Sequence, residues 1–280
     1  MKIMRVFPRR TNATPDDSLT AIGHPEEYVV PNRIFSLPDY EEVHISVLFS
    51  HDIPKVESLK DSWDKTCDIV KIGGPAFGDP GGEFAPGLYV KRPYVITSRG
   101  CPNNCWFCDV WRREGDVREL PIKDGSNILD SNLLACSESH IKQVFEMLKR
   151  QPERPQFTGG LEAARLKDWH VKLLRGSKTD QMFFAYDTPD DYEPLREAGN
   201  ILRLANFTRR HLRCYVLVGY PQDNFGLAKK RLLQAWECGF MPMAMLWRDS
   251  SGVVDKEWQR FQRLWARPAI IKEMVMNILF

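Results

Sequence analysis

The 280-residue sequence lacks the features that mark several specialised classes of protein. Lys and Arg number 39 against 37 Asp and Glu, so a net charge of +2 creates no strong attraction to nucleic acid or an anionic membrane. No apolar run approaches the roughly 18 residues that span a bilayer. The N-terminus turns polar too soon for a signal peptide. We therefore expect a cytoplasmic protein, with no membrane partner and no indication of a nucleic-acid partner.

Seven cysteines are too few and too scattered for a disulfide framework in such a protein. Three of them, however, are clustered as C-x3-C-x2-C in "TSRGCPNNCWFCDVW": Cys101, Cys105 and Cys108. A disulfide needs an even number of thiols, and a tetrahedral zinc site needs four ligands. The other four cysteines are predicted to be mainly buried free thiols, which is the usual state of an unpaired cysteine.

Residues 1–92 differ from the remainder of the chain. The alternation of apolar residues in "EVHISVLFS" predicts a strand, "PKVESLKDSWDK" a helix and "CDIVKIGG" a second strand, which together form a parallel βαβ unit. Residues 8–40 contain many prolines and little periodicity, so we expect an irregular segment there.

From residue 93 onward, apolar strands alternate with amphipathic helices. Six strands are predicted, at 94–97, 127–129, 156–158, 182–187, 214–219 and 242–247. Helices are predicted at 138–150, 163–175, 189–206, 223–238 and 255–266, with Ser137 or Ser139 and Asp223 as N-caps of the first and fourth. This pattern predicts an α/β fold, a partial (β/α)6 TIM-like barrel over residues 93–250, with a helical extension at 251–280.

The three clustered cysteines follow the first of these strands, and ligands gather at the carboxyl ends of parallel strands. Thiolates suit zinc or iron–sulfur clusters. Zinc would need a fourth ligand, and neither a further Cys nor a His lies within about twenty residues, although His140 could return to the site. A [4Fe–4S] cluster is usually held by four cysteines, so three would leave one iron open to another ligand.

"CPNNCWFC", with Phe107 directly before the third cysteine, resembles the signature of the radical S-adenosylmethionine superfamily. The resemblance covers residues 93–250 and implies a [4Fe–4S] cluster on Cys101, Cys105 and Cys108. It also implies S-adenosylmethionine as cofactor, an electron donor such as a flavodoxin or ferredoxin, and an unidentified substrate. The implied reaction is reductive cleavage of S-adenosylmethionine to a 5′-deoxyadenosyl radical that abstracts hydrogen from that substrate. The alternative is a non-catalytic iron–sulfur protein that senses redox state or oxygen.

The resemblance also implies acceptors for the methionyl ammonium near the cluster. Strand counting favours Asp130 and Asn132, after the second strand. "TGGLEA" is similar to the superfamily's Gly-Gly-Glu motif, and would set Gly159, Gly160 and Glu162 beside the ligand at the end of the third strand. Glu162 alternatively forms an ion pair with Arg165 at helical spacing.

The remaining contacts with the cofactor are implied in the same way. Asp187 is expected to accept hydrogen bonds from the ribose, or else to cap the helix that follows it. "VLVGYP" resembles the strand that supports adenine and includes Val218 and Gly219, and the backbone of Phe107 would meet the adenine edge. Cys136 is a candidate donor of a hydrogen atom to a substrate radical; the alternative is packing against the next helix.

The N-terminal region resembles the end of the cobalamin-binding domain that one branch of the superfamily carries. The Asp-x-His-x-x-Gly signature of that domain is absent, since neither His24 nor His51 has this context. We therefore expect a degenerate remnant that covers the barrel or shapes its opening, and we do not expect cobalamin to bind.

Overall fold

A computed structural model describes residues 2–28, 37–249, 252–253 and 255–279. In its first part, four strands form one parallel sheet in the order β2-β1-β3-β4. The elements are β1 (Ile3–Phe7), β2 (Thr20–Ile22), β3 (Glu42–Ser46), α1 (Val56–Trp63) and β4 (Val70–Gly73). The predicted parallel βαβ unit is therefore confirmed as β3-α1-β4.

The second part contains six further parallel strands, each at a position that the sequence predicts. Its elements are β5 (Tyr94–Val95), β6 (Ser98–Arg99), α2 (Val110–Glu114), β7 (Arg118–Glu119), β8 (Asn127–Ile128), α3 (Glu138–Lys149), β9 (Gln156–Leu161), α4 (Asp168–Gly176), β10 (Gln181–Tyr186), α5 (Tyr192–Leu204), β11 (Leu212–Val218), α6 (Phe225–Glu237), β12 (Met241–Leu246), α7 (Lys256–Leu264) and α8 (Pro268–Leu279). Strands β6 and β7 pair with each other in a small antiparallel sheet.

The main sheet has the order β12-β11-β10-β9-β8-β5, so strands that follow one another along the chain are also neighbours in space. Every pairing in it is parallel. All six carboxyl ends therefore lie along one edge of the sheet, and the loops that follow the strands meet there. The α/β class with parallel sheets is confirmed.

Two separate groups of buried apolar residues support the two sheets. The first sheet packs on α1 through Val6, Val43, Ile45, Leu59 and Trp63. A larger core joins the six-stranded sheet to its helices and reaches as far as Val275 in α8. Because α8 contributes to this core, the C-terminal helices stabilise the sheet as well as extending the chain. Among the described residues, every helix is too short or too polar to cross a membrane.

Several predicted details were wrong. Residues 8–40 were expected to be irregular, yet Thr20–Ile22 forms the edge strand β2; residues 29–36 lie outside the described part of the chain. Strand β1 was missed. The N-cap of α6 is Asn224, whose Oδ1 accepts from Leu227 N, because Asp223 is engaged elsewhere. The prediction of one last helix missed α8, which begins at Pro268, a residue well suited to a helix start.

The two sheets meet through loops that follow their strands. Arg99 Nε donates to Gly82 O at 3.3 Å, and Arg118 Nη2 donates to Pro80 O at 3.0 Å. The loop after β4 is thereby attached to the antiparallel pair β6 and β7, between which the cysteine loop and α2 lie along the chain. The N-terminal sheet consequently lies close to the carboxyl edge of the main sheet.

Candidate functional site

The cysteine loop is held in a defined conformation by its own backbone. Cys101 N donates to Gly115 O at 3.1 Å, and Cys108 N donates to Cys105 O at 3.2 Å. The indole Nε1 of Trp111, in α2, donates to Cys105 O at 3.0 Å. All three thiols are partly exposed, so they are accessible to a ligand as well as ordered.

The three thiols affect each other electrostatically. Burial, then the neighbouring Cys108 and Cys101, raise the pKa of Cys105 to about 11. Burial likewise raises the pKa of Cys108, against the effect of a hydrogen bond from the backbone of Val110. Thiolates crowded in this way repel each other, and a positively charged centre between them would stabilise the deprotonated forms that bind metal.

A buried carboxylate, Glu114, holds the two ends of this loop together. It accepts from Gly100 N at 2.8 Å, from Ser131 Oγ at 2.7 Å and from Arg113 Nη2 at 2.7 Å. Burial raises the pKa of Glu114, but these three hydrogen bonds lower it by more, so that the pKa lies below its ordinary value. Glu114 was not predicted as a functional residue, because an acidic residue within "WRREG" is typical of a solvated helix.

Asp130 was predicted to bind the methionyl ammonium, and its contacts do not match that role. Its carboxylate is only 1% exposed and accepts from Thr97 N at 2.6 Å, Thr97 Oγ1 at 2.5 Å and Ser98 Oγ at 2.8 Å. Burial raises its pKa and these hydrogen bonds oppose the rise. Asp130 therefore fastens the end of β8 to the segment just before the cysteines, and its acceptor atoms are already used.

Asn132 and Glu162, by contrast, lie directly beside the first cysteine. Asn132 Nδ2 is 3.4 Å from Cys101 Sγ and donates to Glu162 Oε2 at 2.7 Å. Glu162 also accepts from Arg165 Nε at 2.6 Å, so the ion pair expected as an alternative is present together with the contact to Asn132. The ends of β8 and β9 were alternative predictions for the ammonium site, and they meet here, with Asn132 following β8 and Glu162 following β9.

Asn132 has one acceptor without a partner. The residue is 4% exposed, and its buried Oδ1 has no hydrogen-bond partner in the part of the chain that the structure describes. A buried carbonyl oxygen without a donor is unfavourable, so a ligand with N–H groups would satisfy it. Together with the nearby carboxylate of Glu162, this oxygen makes the position suitable for an ammonium group.

The glycines before Glu162 have different environments. A Cβ on Gly159 would lie 2.5 Å from Asp130 O, so only glycine permits β9 to approach the end of β8 this closely. Gly160 has φ +109° and no atom within 4 Å of the place where a Cβ would stand. Gly159 therefore serves packing, while Gly160 leaves open space next to Glu162.

Asp187 follows β10 and is surrounded by other charged groups. Burial, then the charge of Asp191, raise its pKa to about 7, while a backbone hydrogen bond from Leu217 and the charge of Arg231 act downward. The N-cap of the next turn is Thr188, and Asp191, the third residue of that turn, accepts at Oδ2 from Asp187 N at 2.9 Å and from Thr188 N at 2.7 Å. The capping role considered for Asp187 consequently belongs to Thr188 and Asp191.

Val218 and Gly219 lie at the end of β11. Val218 is fully buried, and Gly219 has φ +74° with the ring of Trp258 3.0 Å from the position of a Cβ. Gly219 N donates to Asp223 Oδ2 at 2.8 Å, and the same oxygen accepts from Arg231 Nη2 at 2.8 Å. A buried ion pair therefore sets the turn after β11.

Aromatic side chains connect the cysteine loop with the far strands. Trp106, which is 51% exposed, packs edge-on against Phe107 at 5.3 Å between ring centroids and against Tyr220 at 5.6 Å. It also lies 6.5 Å from Trp247, which follows β12. The loop after the first strand of the sheet thus contacts residues that follow the last two strands.

Cys136 lies behind the cysteine loop. It is partly buried against the apolar core, and burial raises the pKa of its thiol to about 12, with a hydrogen bond to Ser98 acting downward. The thiol is therefore protonated at neutral pH. The alternative expected for Cys136 was packing against the next helix, and it packs on the core to which Ile141 and Val144 of α3 contribute. Its role as a hydrogen-atom donor is still a hypothesis.

The chemistry of these residues fits the group that the sequence implies. Among the described residues, no three His, Cys, Asp or Glu side chains converge closely enough to hold a single metal ion. A cubane cluster has different requirements, because each thiolate binds a separate iron. Three accessible thiols in one ordered loop, next to an unsatisfied carbonyl oxygen, suit such a cluster and an amino-acid ligand beside it.

Compared with models of known protein families and with curated protein sequences, the chain matches none.

Proposed function

We propose that this protein is a radical S-adenosylmethionine enzyme whose [4Fe–4S] cluster is held by Cys101, Cys105 and Cys108. The observation that carries the proposal is the position of Asn132 Nδ2, 3.4 Å from Cys101 Sγ, with its own Oδ1 buried and unpartnered. When bound, the cluster and S-adenosylmethionine supply an electron and a 5′-deoxyadenosyl radical that abstracts hydrogen from a substrate.

In this proposal the chain's own residues bind and orient the cofactor. Asn132 Oδ1 and the Glu162 carboxylate accept from the methionyl ammonium, and Arg165 holds Glu162 in place through its 2.6 Å contact. Gly160 leaves room for the amino-acid end of the ligand. Asp130 keeps the Thr97–Ser98 segment, and with it the start of the cysteine loop, at a constant position.

The adenosine end would lie across the ends of β10 and β11. We assign Asp187 to the ribose hydroxyls, because a carboxyl with a pKa near 7 is able to accept or to donate a hydrogen bond at neutral pH. Val218 and Gly219 would support the adenine from one side, and the backbone of Phe107 would approach its edge. The ion pair of Asp223 and Arg231 maintains the turn at Gly219.

We further propose that the main sheet curves as a partial barrel. The contacts of Trp106 with Tyr220 and Trp247 support this, because they join the loop after β5 to residues beyond β11 and β12, near the opposite edge of the sheet. A curved sheet encloses a drier cavity, which protects a reactive radical from water. The proposal includes a flavodoxin or ferredoxin as electron donor, and the reducing cytoplasm as the compartment.

The test is production of 5′-deoxyadenosine. The purified chain is reconstituted anaerobically with iron and sulfide, mixed with S-adenosylmethionine and dithionite, and assayed by liquid chromatography. We expect product, together with a change in the electron paramagnetic resonance signal of the reduced cluster when S-adenosylmethionine is added. A cluster whose signal is unchanged, with no product formed, would contradict the proposal and favour the redox or oxygen sensor.

Cysteine variants assign the ligands in the same experiment. Cys105→Ala should lose both the cluster and the cleavage activity, because one of only three thiolates is removed. Cys67→Ala and Cys238→Ala should retain the wild-type iron content, since both thiols lie within other parts of the fold. Loss of iron in either control would overturn the ligand assignment.

A further inference from the structure

A cluster of basic and aromatic side chains lies where the carboxyl ends of the two sheets approach each other. Arg9 follows β1, Phe49 and His51 follow β3, and Arg248 follows β12. Each residue is within five positions of the end of its strand. In parallel sheets this is the edge at which ligands bind, and here two such edges contribute to one location.

Arg9 and His51 both pack on the ring of Phe49. The His51 ring stacks on Phe49 with centroids 5.3 Å apart and an interplanar angle of 14°, and the Arg9 guanidinium is 5.8 Å from the Phe49 centroid. The loop after β12 packs on the same histidine, because a Cβ on Gly252 would lie 2.6 Å from His51 Cβ. Residues from the N-terminal sheet and from the end of the main sheet therefore form one surface.

Positive charge predominates around the His51 ring among the described residues. Asp52, with 2% of its side chain exposed, pairs with Arg9 at 2.5 Å and with Lys55 at 3.1 Å. The cations that act on His51 are Arg9, Arg248 and Lys55, and the carboxylate that acts on it is Asp52. An anion placed here would be attracted by these cations.

His51 contributes an unused polar atom. Its Nε2 is buried and has no hydrogen-bond partner in the described ranges. Burial, then the charges of Arg9, Arg248 and Lys55, lower its pKa, so the ring is neutral at pH 7 and has one N–H to donate. An oxygen of a bound anion would satisfy this atom, whereas the protein itself does not.

We propose that Arg9, His51 and Arg248 form a binding site for an oxyanion, a phosphate or carboxylate group, between the two sheets. The site is connected to the cysteine loop, since Trp247, which adjoins Arg248, lies 6.5 Å from Trp106, which adjoins Cys105. The oxyanion is part of the substrate, held so that the remainder of the molecule extends toward the cysteines. That last assignment rests on the proposed function; the binding of the anion does not.

The test is isothermal titration calorimetry on the reconstituted full chain, with inorganic pyrophosphate and malonate as separate probes. Arg248→Gln is the main variant, because Arg248 is exposed and its removal leaves the core intact. Arg9→Gln is the second variant, although it leaves the buried Asp52 with only Lys55. Arg10→Gln is the matched control, an exposed neighbour of the same charge.

We expect at least one probe to bind to the wild type and to Arg10→Gln with equal affinity, and to bind about tenfold more weakly to Arg248→Gln. Binding should also weaken at 1 M salt, where the Debye length falls to about 3 Å. The stronger probe identifies the oxyanion as phosphate or carboxylate. No binding of either probe to the wild type, or unchanged affinity in Arg248→Gln, would overturn the proposal.

Cys105→Ala separates this inference from the proposed function. The variant should lose cleavage of S-adenosylmethionine and still bind the probe with wild-type affinity, because the anion site contains no cysteine. If the wild type binds the anion and forms no 5′-deoxyadenosine, the enzyme assignment fails and the anion site stands. Loss of binding in a folded Cys105→Ala protein would instead locate the anion at the cysteine loop and contradict the proposed site.

Discussion

Asn132 Nδ2 lies 3.4 Å from the sulfur of Cys101, and this contact joins the end of β8 to the first residue of the cysteine loop. The same amide group donates to Glu162 at the end of β9. One side chain therefore brings together a thiol, a carboxylate and an unpartnered carbonyl oxygen.

Replacing Asn132 by Ala should weaken binding of S-adenosylmethionine and spare the cluster. The variant removes the free Oδ1 acceptor and the donor to Glu162, while all three thiols remain. We expect affinity to fall at least tenfold, corresponding to about 1.4 kcal/mol. The measurement is the ligand-dependent change in the electron paramagnetic resonance signal at equal iron content. Asn200→Ala, at an exposed position in α5, is the control, and an equal loss in both variants would contradict the assignment.

Glu114→Gln should reduce both stability and iron content. A neutral amide loses the ion pair with Arg113, and its NH2 group must face either the Arg113 guanidinium or the two donors Gly100 N and Ser131 Oγ, because only one oxygen remains. An unsatisfied buried group costs about 1–3 kcal/mol, and here the loop that carries the thiols is affected directly. Urea unfolding and iron analysis check this result. Glu146→Gln, at an exposed position of α3, should change neither quantity.

The negative charge of Glu114 should make the stability of the protein depend on pH in the acid range. Because its pKa is lowered in the folded protein, its contribution to stability is present above the ordinary pKa of a glutamate and is lost as the pH falls through the folded value. The difference in unfolding free energy between wild type and Glu114→Gln should therefore shrink in acid. A difference that is constant between pH 7 and pH 3 would show that the carboxylate charge has no such role.

Asp187 should show the opposite dependence on pH. Its pKa of about 7 lies above the ordinary value, so the folded protein holds a proton that the unfolded chain has released, and stability falls as the pH rises from about 4 to about 7. Asp187→Asn removes this dependence, so above pH 7 the variant should be more stable than the wild type. The gain should be a few kcal/mol at most, because a pKa difference of one corresponds to about 1.4 kcal/mol. Urea unfolding at pH 5 and pH 8 measures the change. If the unfolding free energies of the variant and the wild type differ by the same amount at pH 5 and at pH 8, the raised pKa of Asp187 is contradicted.

Gly159→Ala should destabilise the fold through steric overlap. The added methyl group would stand 2.5 Å from the backbone oxygen of Asp130, which cannot move without displacing Thr97 and Ser98. Overpacking of this kind costs typically about 1–3 kcal/mol. Gly176→Ala, at the end of α4 with no atom within 4 Å, should be neutral or slightly stabilising. Thermal unfolding distinguishes the two.

The sequence was most informative about the order of elements. Alternation of apolar runs with helical periodicity predicted all six strands of the main sheet, and Ser137, one of the two residues proposed as N-cap of α3, accepts from His140 N. The weakest predictions were those in the first 40 residues. There β1 and β2 are three to five residues long and occur among prolines, so their periodicity is too short to detect.

The spacing of Cys101, Cys105 and Cys108 and the alternation of strands and helices were determined by the sequence alone, because chemical identity and local periodicity do not depend on distant contacts. Only the tertiary structure showed how differently Asp130 and Asn132, which were predicted together after the second strand, are surrounded. Both residues follow β8. The Asp130 carboxylate is buried among hydroxyl and backbone amide donors, whereas the Asn132 side chain contacts the thiol of Cys101. That difference depends on which residues of β5, β6 and β9 are packed nearby, and long-range packing of this kind leaves no trace in the adjacent sequence. The same holds for Arg9 and His51, which follow different strands of the first sheet and both pack on Phe49, and for Gly252, which packs on His51 from beyond β12.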